Sequence, residues 1–274
     1  MYAFVTLVMN KPHYVNGTIA LAQSLRLTNT QHKIVCMITI DLIQYQQVLQ
    51  KVFDSLFIVP YLNYRTPDLR TKKQNDIYNE WKDISFTKWN CLNISMFKKI
   101  CFLDADLIVQ KNIDHLFNLP APAGCFGNNW SSQVDYFGEY KYNDIIHPSR
   151  LEQGLTNGYV VNGHCIILEP SKALYTTYLA FMRSGQYNKH PKCLAMTDEV
   201  ALVKFFRLQN KFWTQIDMSY NSIPWKNTEQ AHILHYFNKT KPWQMEQDRW
   251  PDLKYWYAVW NSIKSRHPDL EIIS

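Results

Sequence analysis

The sequence predicts an α/β fold, a Rossmann-like sheet flanked by helices, in a single domain. Three observations carry the prediction. Short apolar runs rich in Val, Ile, Leu and Met alternate with stretches of helical periodicity, the pattern of strand–helix–strand units with parallel strands. The 274 residues are 46% hydrophobic and 15% aromatic, which supplies a sizeable core and excludes a disordered chain. No tract rich in Pro, Gly or Ser divides the chain, so residues 1–250 read as the domain and 251–274 as its C-terminal packing helix and tail.

In order, Tyr2–Met9 reads as a strand and Asn16–Thr28 as a helix with Ile19, Ala22 and Leu25 on one face. Lys33–Ile40 is a second strand, 41–53 a helical stretch, and Leu56–Val59 a third strand stopped by Pro60. Residues 61–82 are polar and irregular, a long loop of the kind that serves as a lid. Ile84–Phe97 predicts a helix, Ile100–Leu103 a buried strand, and Asn112–Leu119 a turn or short helix. Residues 128–157 read as a second long loop, followed by a strand over Gly158–Leu168. Ser171 is an N-cap for a helix reaching Arg183, and Asp198–Arg207 is another helix. Phe212–Ile216 and Ala231–Tyr236 are late strands, and Leu253–Ile263 is the packing helix.

Composition narrows the function. The net charge of +6 is spread along the chain, without a basic, aromatic-interleaved stripe for nucleic acid. A mild positive bias suits an anionic substrate. The six cysteines form no C-x-x-C pair and most sit in apolar runs, which predicts reduced core thiols and a cytoplasmic setting. No apolar run is long enough to span a bilayer, and Met1–Met9 lacks the basic flank and small-residue cleavage site of a signal peptide. Sequons at Asn16, Asn93, Asn129 and Asn238 are weak evidence for secretion. The first strand is followed by no G-x-G-x-x-G, which disfavours an NAD site.

The chemistry concentrates at Asp104-Ala105-Asp106, at the end of the apolar run Ile100–Leu103. Ligands of α/β sheets bind at the carboxyl ends of strands. At a period of two, both carboxylates point the same way and offer hard oxygen ligands to one divalent cation, leaving positions open for phosphates. A second constellation, His235-Tyr236-Phe237-Asn238-Lys239-Thr240-Lys241-Pro242-Trp243, follows the apolar strand Ala231–Leu234. A neutral imidazole can be a third ligand, and a lysine six residues on can contact a diphosphate as a point charge. Taken singly, an Asp-x-Asp is most often a solvated turn and a strand-end His most often structural. Their occurrence together, in order, makes the metal reading the stronger one.

At these residues the chain resembles the glycogenin-like members of glycosyltransferase family 8. The resemblance spans most of residues 2–245: Ala3-Phe4-Val5-Thr6-Leu7 with Asn10, Phe86-Thr87-Lys88, Phe102–Asp106, Asn112-Ile113-Asp114-His115-Leu116-Phe117, Asn162, Pro170-Ser171, Thr197-Asp198, and the block from His235 to Trp243. It implies a GT-A fold with a mixed sheet, and a retaining, metal-dependent transferase that moves a hexose from a UDP-sugar to a carbohydrate or protein acceptor. The metal would be Mn²⁺, with Mg²⁺ as the alternative. Carried over position by position, Asp104, Asp106 and His235 are the metal ligands. Leu7, Met9, Asn10 and Tyr14 form the uridine pocket, with Met9 where the family often has Thr, and Ala105 lies against the nucleotide by its backbone. Lys88 and Lys241 hold phosphate or sugar oxygens. Asn162, Gly163 and Asp198 touch the donor sugar, and Asn238 stands where the family closes its motif with Gly. A homodimer is an arrangement the resemblance allows.

Further departures surround the sugar: Glu199 for Gln, Ala195 for Asp, and Asn79 where relatives carry a lid Arg, for which Arg70, Lys72 or Lys73 could substitute. The segment that carries glycogenin's self-glucosylated Tyr is shortened here, so self-priming is not expected. Retention by double displacement would need a carboxylate nucleophile, Asp198 or Glu199. Front-face attack by the acceptor, with Lys241 on the leaving diphosphate, is the favoured route. The alternatives are a haloacid-dehalogenase-type phosphatase, which usually carries Asp-x-Asp on its first strand, and a UDP-sugar-binding module without turnover.

Overall fold

The structure is a computed structural model. It describes residues 1–273 apart from 67–71, 128–136, 189–196 and 225–227, with 73, 74, 77 and 197 described by backbone alone. Along the chain the strands are β1 (Tyr2–Val8), β2 (Lys33–Ile38), β3 (Ser55–Ile58), β4 (Lys99–Leu103), β5 (Leu107–Val109), β6 (Ala123–Phe126), β7 (Ile145–Ile146), β8 (Val161–Leu168), β9 (Trp213–Gln215) and β10 (Ile233–His235). The α-helices are α1 (Tyr14–Leu27), α2 (Gln46–Gln50), α3 (Lys72–Tyr78), α4 (Pro148–Asn157), α5 (Lys172–Arg183), α6 (Thr197–Leu208) and α7 (Leu253–Lys264). The chain folds into two compact units.

One unit comprises residues 2–59, 102–116 and 219–274. Its N-terminal half has the expected parallel order β3-β2-β1, with Thr6 opposite Cys36 and Cys36 opposite Leu56. Strands β1 and β2 read as continuous apolar runs because they are buried on both faces. Helix α1 is likewise buried from Val15 to Leu25, polar residues included. Those polar groups are hydrogen-bonded: the Asn16 side chain donates to the Ile273 carbonyl at 2.7 Å and accepts from its N–H at 2.9 Å. Gln23 donates to Ser262 Oγ on α7 at 3.0 Å. The Asn16 sequon is therefore shut off from solvent in the folded chain. A two-stranded antiparallel ladder joins β5 to β10, with Val109 opposite Ile233 and Leu107 opposite His235.

The other unit comprises Met1 and residues 60–101 and 117–218. Here β6 pairs antiparallel with β8 and parallel with β9, and β7 pairs antiparallel with β9. Ser171 caps α5 as expected, accepting from the Leu174 N–H at 3.1 Å.

Several local expectations are corrected. The stretch 41–53 is a 3-10 helix over Ile40–Tyr45 followed by the short α2. The expected helix Ile84–Phe97 is a 3-10 helix over Lys82–Asn93, in which Ser85, Phe86, Thr87, Trp89, Asn90, Cys91 and Leu92 are buried. Its Ser, Thr, Asn and aromatic residues have low α-helix propensity. The loop 61–82 contains α3, and its residues 67–71 lie outside the described residues. The loop 128–157 contains β7 and α4, and 128–136 again lie outside them. Strand β6 escapes a sequence reading because Ala-Gly-Cys-Phe is short and carries Gly124, where a Cβ would lie 2.3 Å from the Val161 side chain.

Candidate active site

The Asp-x-Asp pair is not a continuation of β4. Asp104 follows the strand and Ala105-Asp106 form the turn into β5. The carboxylates still converge, because the β5–β10 ladder brings His235 to the same turn. Tyr236 N–H extends the pairing to the Asp106 carbonyl at 3.0 Å. One ligand atom from each of Asp104, Asp106 and His235 can be chosen so that all lie within 4.8 Å of one another. His235 Nε2 is 3.5 Å from Asp106 Oδ1.

The tautomer of His235 is set by Asn221, whose side-chain oxygen accepts from Nδ1 at 3.0 Å. That leaves Nε2 as the lone-pair donor toward the carboxylates, the usual arrangement behind a metal-ligating imidazole. Two carboxylates and one imidazole suit Mn²⁺ or another hard-to-borderline divalent ion, and three protein ligands leave coordination positions open. Sequence reasoning missed Asn221, which no local pattern ties to His235. Asn221→Leu is expected to weaken Mn²⁺ affinity about 10–100-fold, as loss of such an orienting partner typically does, measured by calorimetric titration. Affinity equal to wild type would remove Asn221 from the site.

Lys241 is 4% exposed. Its ammonium donates to Asp106 Oδ2 at 2.7 Å and to the Tyr236 carbonyl at 2.9 Å, and lies 5.7 Å from the centroid of the Tyr14 ring. Burial alone would raise the Asp106 pKa. The Lys241 ammonium outweighs it and holds the carboxyl well below the usual carboxylate range. Three donors are available on an ammonium, and the two hydrogen bonds use two of them.

The turn is backed by a close approach that sequence reasoning also passed over. A Cβ on Gly17 would lie 2.4 Å from the Ala105 carbonyl oxygen and 2.5 Å from the Trp243 ring. Trp243 is itself fixed by its Nε1–H donating to His13 Nδ1 at 2.9 Å and by an edge contact with Tyr14. The signal available was an isolated glycine inside a helical pattern. Gly17→Ala is expected to cost about 2 kcal/mol by overpacking and to lower Mn²⁺ affinity by displacing the turn. Denaturant unfolding and metal titration measure the two effects. An unchanged protein would mean the turn yields freely.

Of the other expected residues in this unit, Leu7 is buried at the end of β1, and Met9 and Asn10 follow it. Asn10 has φ of 63°, the left-handed conformation that Asn tolerates better than most side chains. Asn238 lies in the loop between His235 and Lys241.

The remaining expected residues belong to the other unit. Asp198, in the first turn of α6, is fully buried. Lys88 Nζ is 3.2 Å from its Oδ2, an ion pair, and among the described residues neither carboxylate oxygen makes a hydrogen bond. The indole of Trp89 donates to the Asp198 carbonyl at 3.1 Å, fixing the start of the helix. Glu199 Oε1 accepts from the Gly163 N–H at 2.6 Å. Asn162 donates to the carbonyls of Cys125 and Gly127. Ala195 lies outside the described residues.

The fold matches that of known enzymes. The galactosyltransferase LgtC, solved in complex with donor and acceptor sugar analogs, superposes with a TM-score of 0.58 over 94% of this chain and 95% of its own, at 12% identity. The architecture is the GT-A fold of glycosyltransferases, enzymes that transfer a sugar from a nucleotide-sugar donor to an acceptor. The signature of Glycosyl transferase family 8 matches residues 5–142, about half of the chain. The chain belongs to glycosyltransferase family 8, and its relatives make it glycogenin-like. Glycogenin-1 of Homo sapiens is 22% identical over 284 residues, covering 99% of this chain and 70% of the relative. Uncharacterized protein R707 of Acanthamoeba polyphaga mimivirus is 27% identical over 295 residues, covering 97% of this chain and 94% of the relative. Among the described residues, no helix is long and apolar enough to cross a membrane.

Proposed function

We propose that this protein is a retaining transferase that moves a hexose, glucose or galactose, from a UDP-sugar to an acceptor hydroxyl with Mn²⁺. The observation that carries the reading is the convergence of Asp104, Asp106 and His235 beside the buried ammonium of Lys241, in a chain of this family. A bound divalent cation would offset charge on the diphosphate. Lys241 uses its third donor on the departing phosphate oxygens, where negative charge grows as the C1–O bond breaks. Leu7, Met9, Asn10, Tyr14 and the backbone of Ala105 hold the uridine, and Asn238 stands in the closing loop. Asn162, Gly163 and Lys88 serve the sugar side.

The acceptor oxygen attacks C1 from the face that the diphosphate leaves, and its proton passes to the leaving phosphate oxygen. Asp198 accepts hydrogen bonds from sugar hydroxyls, a role supported by its buried carboxylate, which is paired with Lys88 but makes no hydrogen bond among the described residues. Glu199 has one oxygen engaged by Gly163 N–H. The five described cysteines are all free and buried, in keeping with a cytoplasmic setting.

The test is turnover with Mn²⁺ and a panel of UDP-sugars, reading UDP release and product mass and anomeric configuration. UDP release with a retained anomer supports the proposal. Binding of UDP-sugar without turnover for any acceptor would make the chain a binding module. Phosphate release from simple esters would revive the phosphatase reading that family membership disfavours.

A further inference from the structure

Helix α1 begins without a cap of its own. His13 stands at the N-cap position, its side chain caps no backbone N–H among the described residues, and the first turn, Tyr14-Val15-Asn16-Gly17, carries no acidic residue. Ser, Thr, Asp or Asn at that position would satisfy an orphan N–H, and a helix end without such a partner frays. Fraying here would reach the site, because this turn carries Tyr14 and the Gly17 that lies against the Ala105 carbonyl. The turn is held by tertiary contacts instead.

One set of those contacts comes from far along the chain. Asn16 is fully buried. One amide hydrogen goes to the His13 carbonyl at 3.0 Å and the other to the Ile273 carbonyl at 2.7 Å, while Oδ1 accepts from the Ile273 N–H at 2.9 Å. Both donors of the amide are thereby used. The side chain grips Ile273 as a neighbouring strand would, by N–H and C=O together, and the same amide ties that grip to the carbonyl at the start of the helix. The His13 ring is held in turn by the Trp243 indole, which donates to Nδ1. The segment that presents Ile273 is anchored as well. After α7 the chain turns, with the His267 N–H on the Ile263 carbonyl and the Leu270 N–H on the His267 carbonyl, each at 3.0 Å. Leu270 is 2% exposed, and Lys51 pairs with Asp269. Ordering residues 266–273 costs conformational entropy, which the burial of Leu270 opposes. The segment lies beyond residues 2–245, over which the family resemblance extends.

We infer that residues 266–273 form a strap that, through Asn16, positions the first turn of α1, so that Asn16 and Ile273 are positioning residues for nucleotide binding. The nucleotide part rests on the proposed function. Because only the backbone of Ile273 meets Asn16, the substitutions separate cleanly. Ile273→Pro removes the N–H, Ile273→Ala keeps it, and Leu270→Ala loosens the strap from a second point. Hydrogen exchange of the free proteins and calorimetric titration of UDP with Mn²⁺ are the readouts. Ile273→Pro and Leu270→Ala are expected to speed exchange at residues 14–17 at least about 10-fold, with exchange in β2 as in wild type. Their UDP affinity is expected to fall about 10-fold, a size that loss of one buried hydrogen bond can reach. Ile273→Ala should stay within about 2-fold of wild type in both. Unchanged exchange at residues 14–17 overturns the inference, whether or not UDP binds. So does UDP affinity equal to wild type in a variant whose first turn has loosened, or a loss in Ile273→Ala as large as that in Ile273→Pro. If Ile273→Pro does not fold, Leu270→Ala decides by the same criteria. Unaltered exchange in β2 separates positioning from a general loss of stability. Wild type that binds no UDP with Mn²⁺ overturns the proposed function and the nucleotide part of the inference with it, and exchange, read without nucleotide, still decides the strap.

Discussion

Asp106→Asn is expected to abolish Mn²⁺-dependent UDP binding and to destabilise the free protein as well. The first effect follows from removing one of only two carboxylates in the cluster. The second follows from Lys241, whose buried ammonium is paired with Asp106. Removing one partner of a buried pair leaves the other uncompensated and costs about 3 kcal/mol. The acid limb supplies a control. The Asp106 carboxyl is depressed in the folded protein, so its contribution is present above the unfolded value of about 3.9 and is lost as pH falls from there through the folded value. Wild type and variant should differ at pH 7 and converge in acid. Calorimetric UDP affinity equal to wild type would sink the metal assignment, and parallel stability curves across that range would sink the account of the pair.

Lys241→Ala is expected to lower kcat by about 10²–10³-fold, the usual cost of removing one charge-stabilising donor. A cation that meets charge appearing only in the transition state acts on kcat more than on donor KM. A modest rise in KM is compatible, since the ground-state diphosphate is already charged. The position of Lys241 on Asp106 adds a second consequence. Its removal takes away the ammonium that first opposes the burial of Asp106, so the free variant should also melt lower, and UDP with Mn²⁺ should recover part of the difference. Near-normal kcat would mean that Lys241 serves only to hold the turn.

Much of the site was legible because its signals are local or ordered. Asp104 and Asp106 follow an apolar run, and His235 and Lys241 follow another at a fixed spacing. The strands β1 and β2, the helices α1, α5 and α7, and the Ser171 cap were legible because period and capping act over three or four residues. The 3-10 helix over Lys82–Asn93 was not, because tertiary burial overrode a weak local preference. Within 61–82 and 128–157, α3 and α4 were hidden by the lack of a clear apolar period, and β7 by its two-residue length and its distant partner β9.

What the sequence determined by itself is which chemical groups are present and in what order: two carboxylates after one apolar run, and an imidazole and a lysine after another. What the tertiary structure decided is how they meet. The Asp-x-Asp lies in a turn rather than on a strand, and the β5–β10 ladder carries His235 to it. Lys241 reaches Asp106 across 135 residues of chain, Asn221 fixes the His235 tautomer, and Gly17 lets helix α1 approach the Ala105 carbonyl. Each of these depends on a contact between segments far apart in sequence. Such contacts are set by packing and by the hydrogen-bond requirements of buried groups, which local periodicity does not encode.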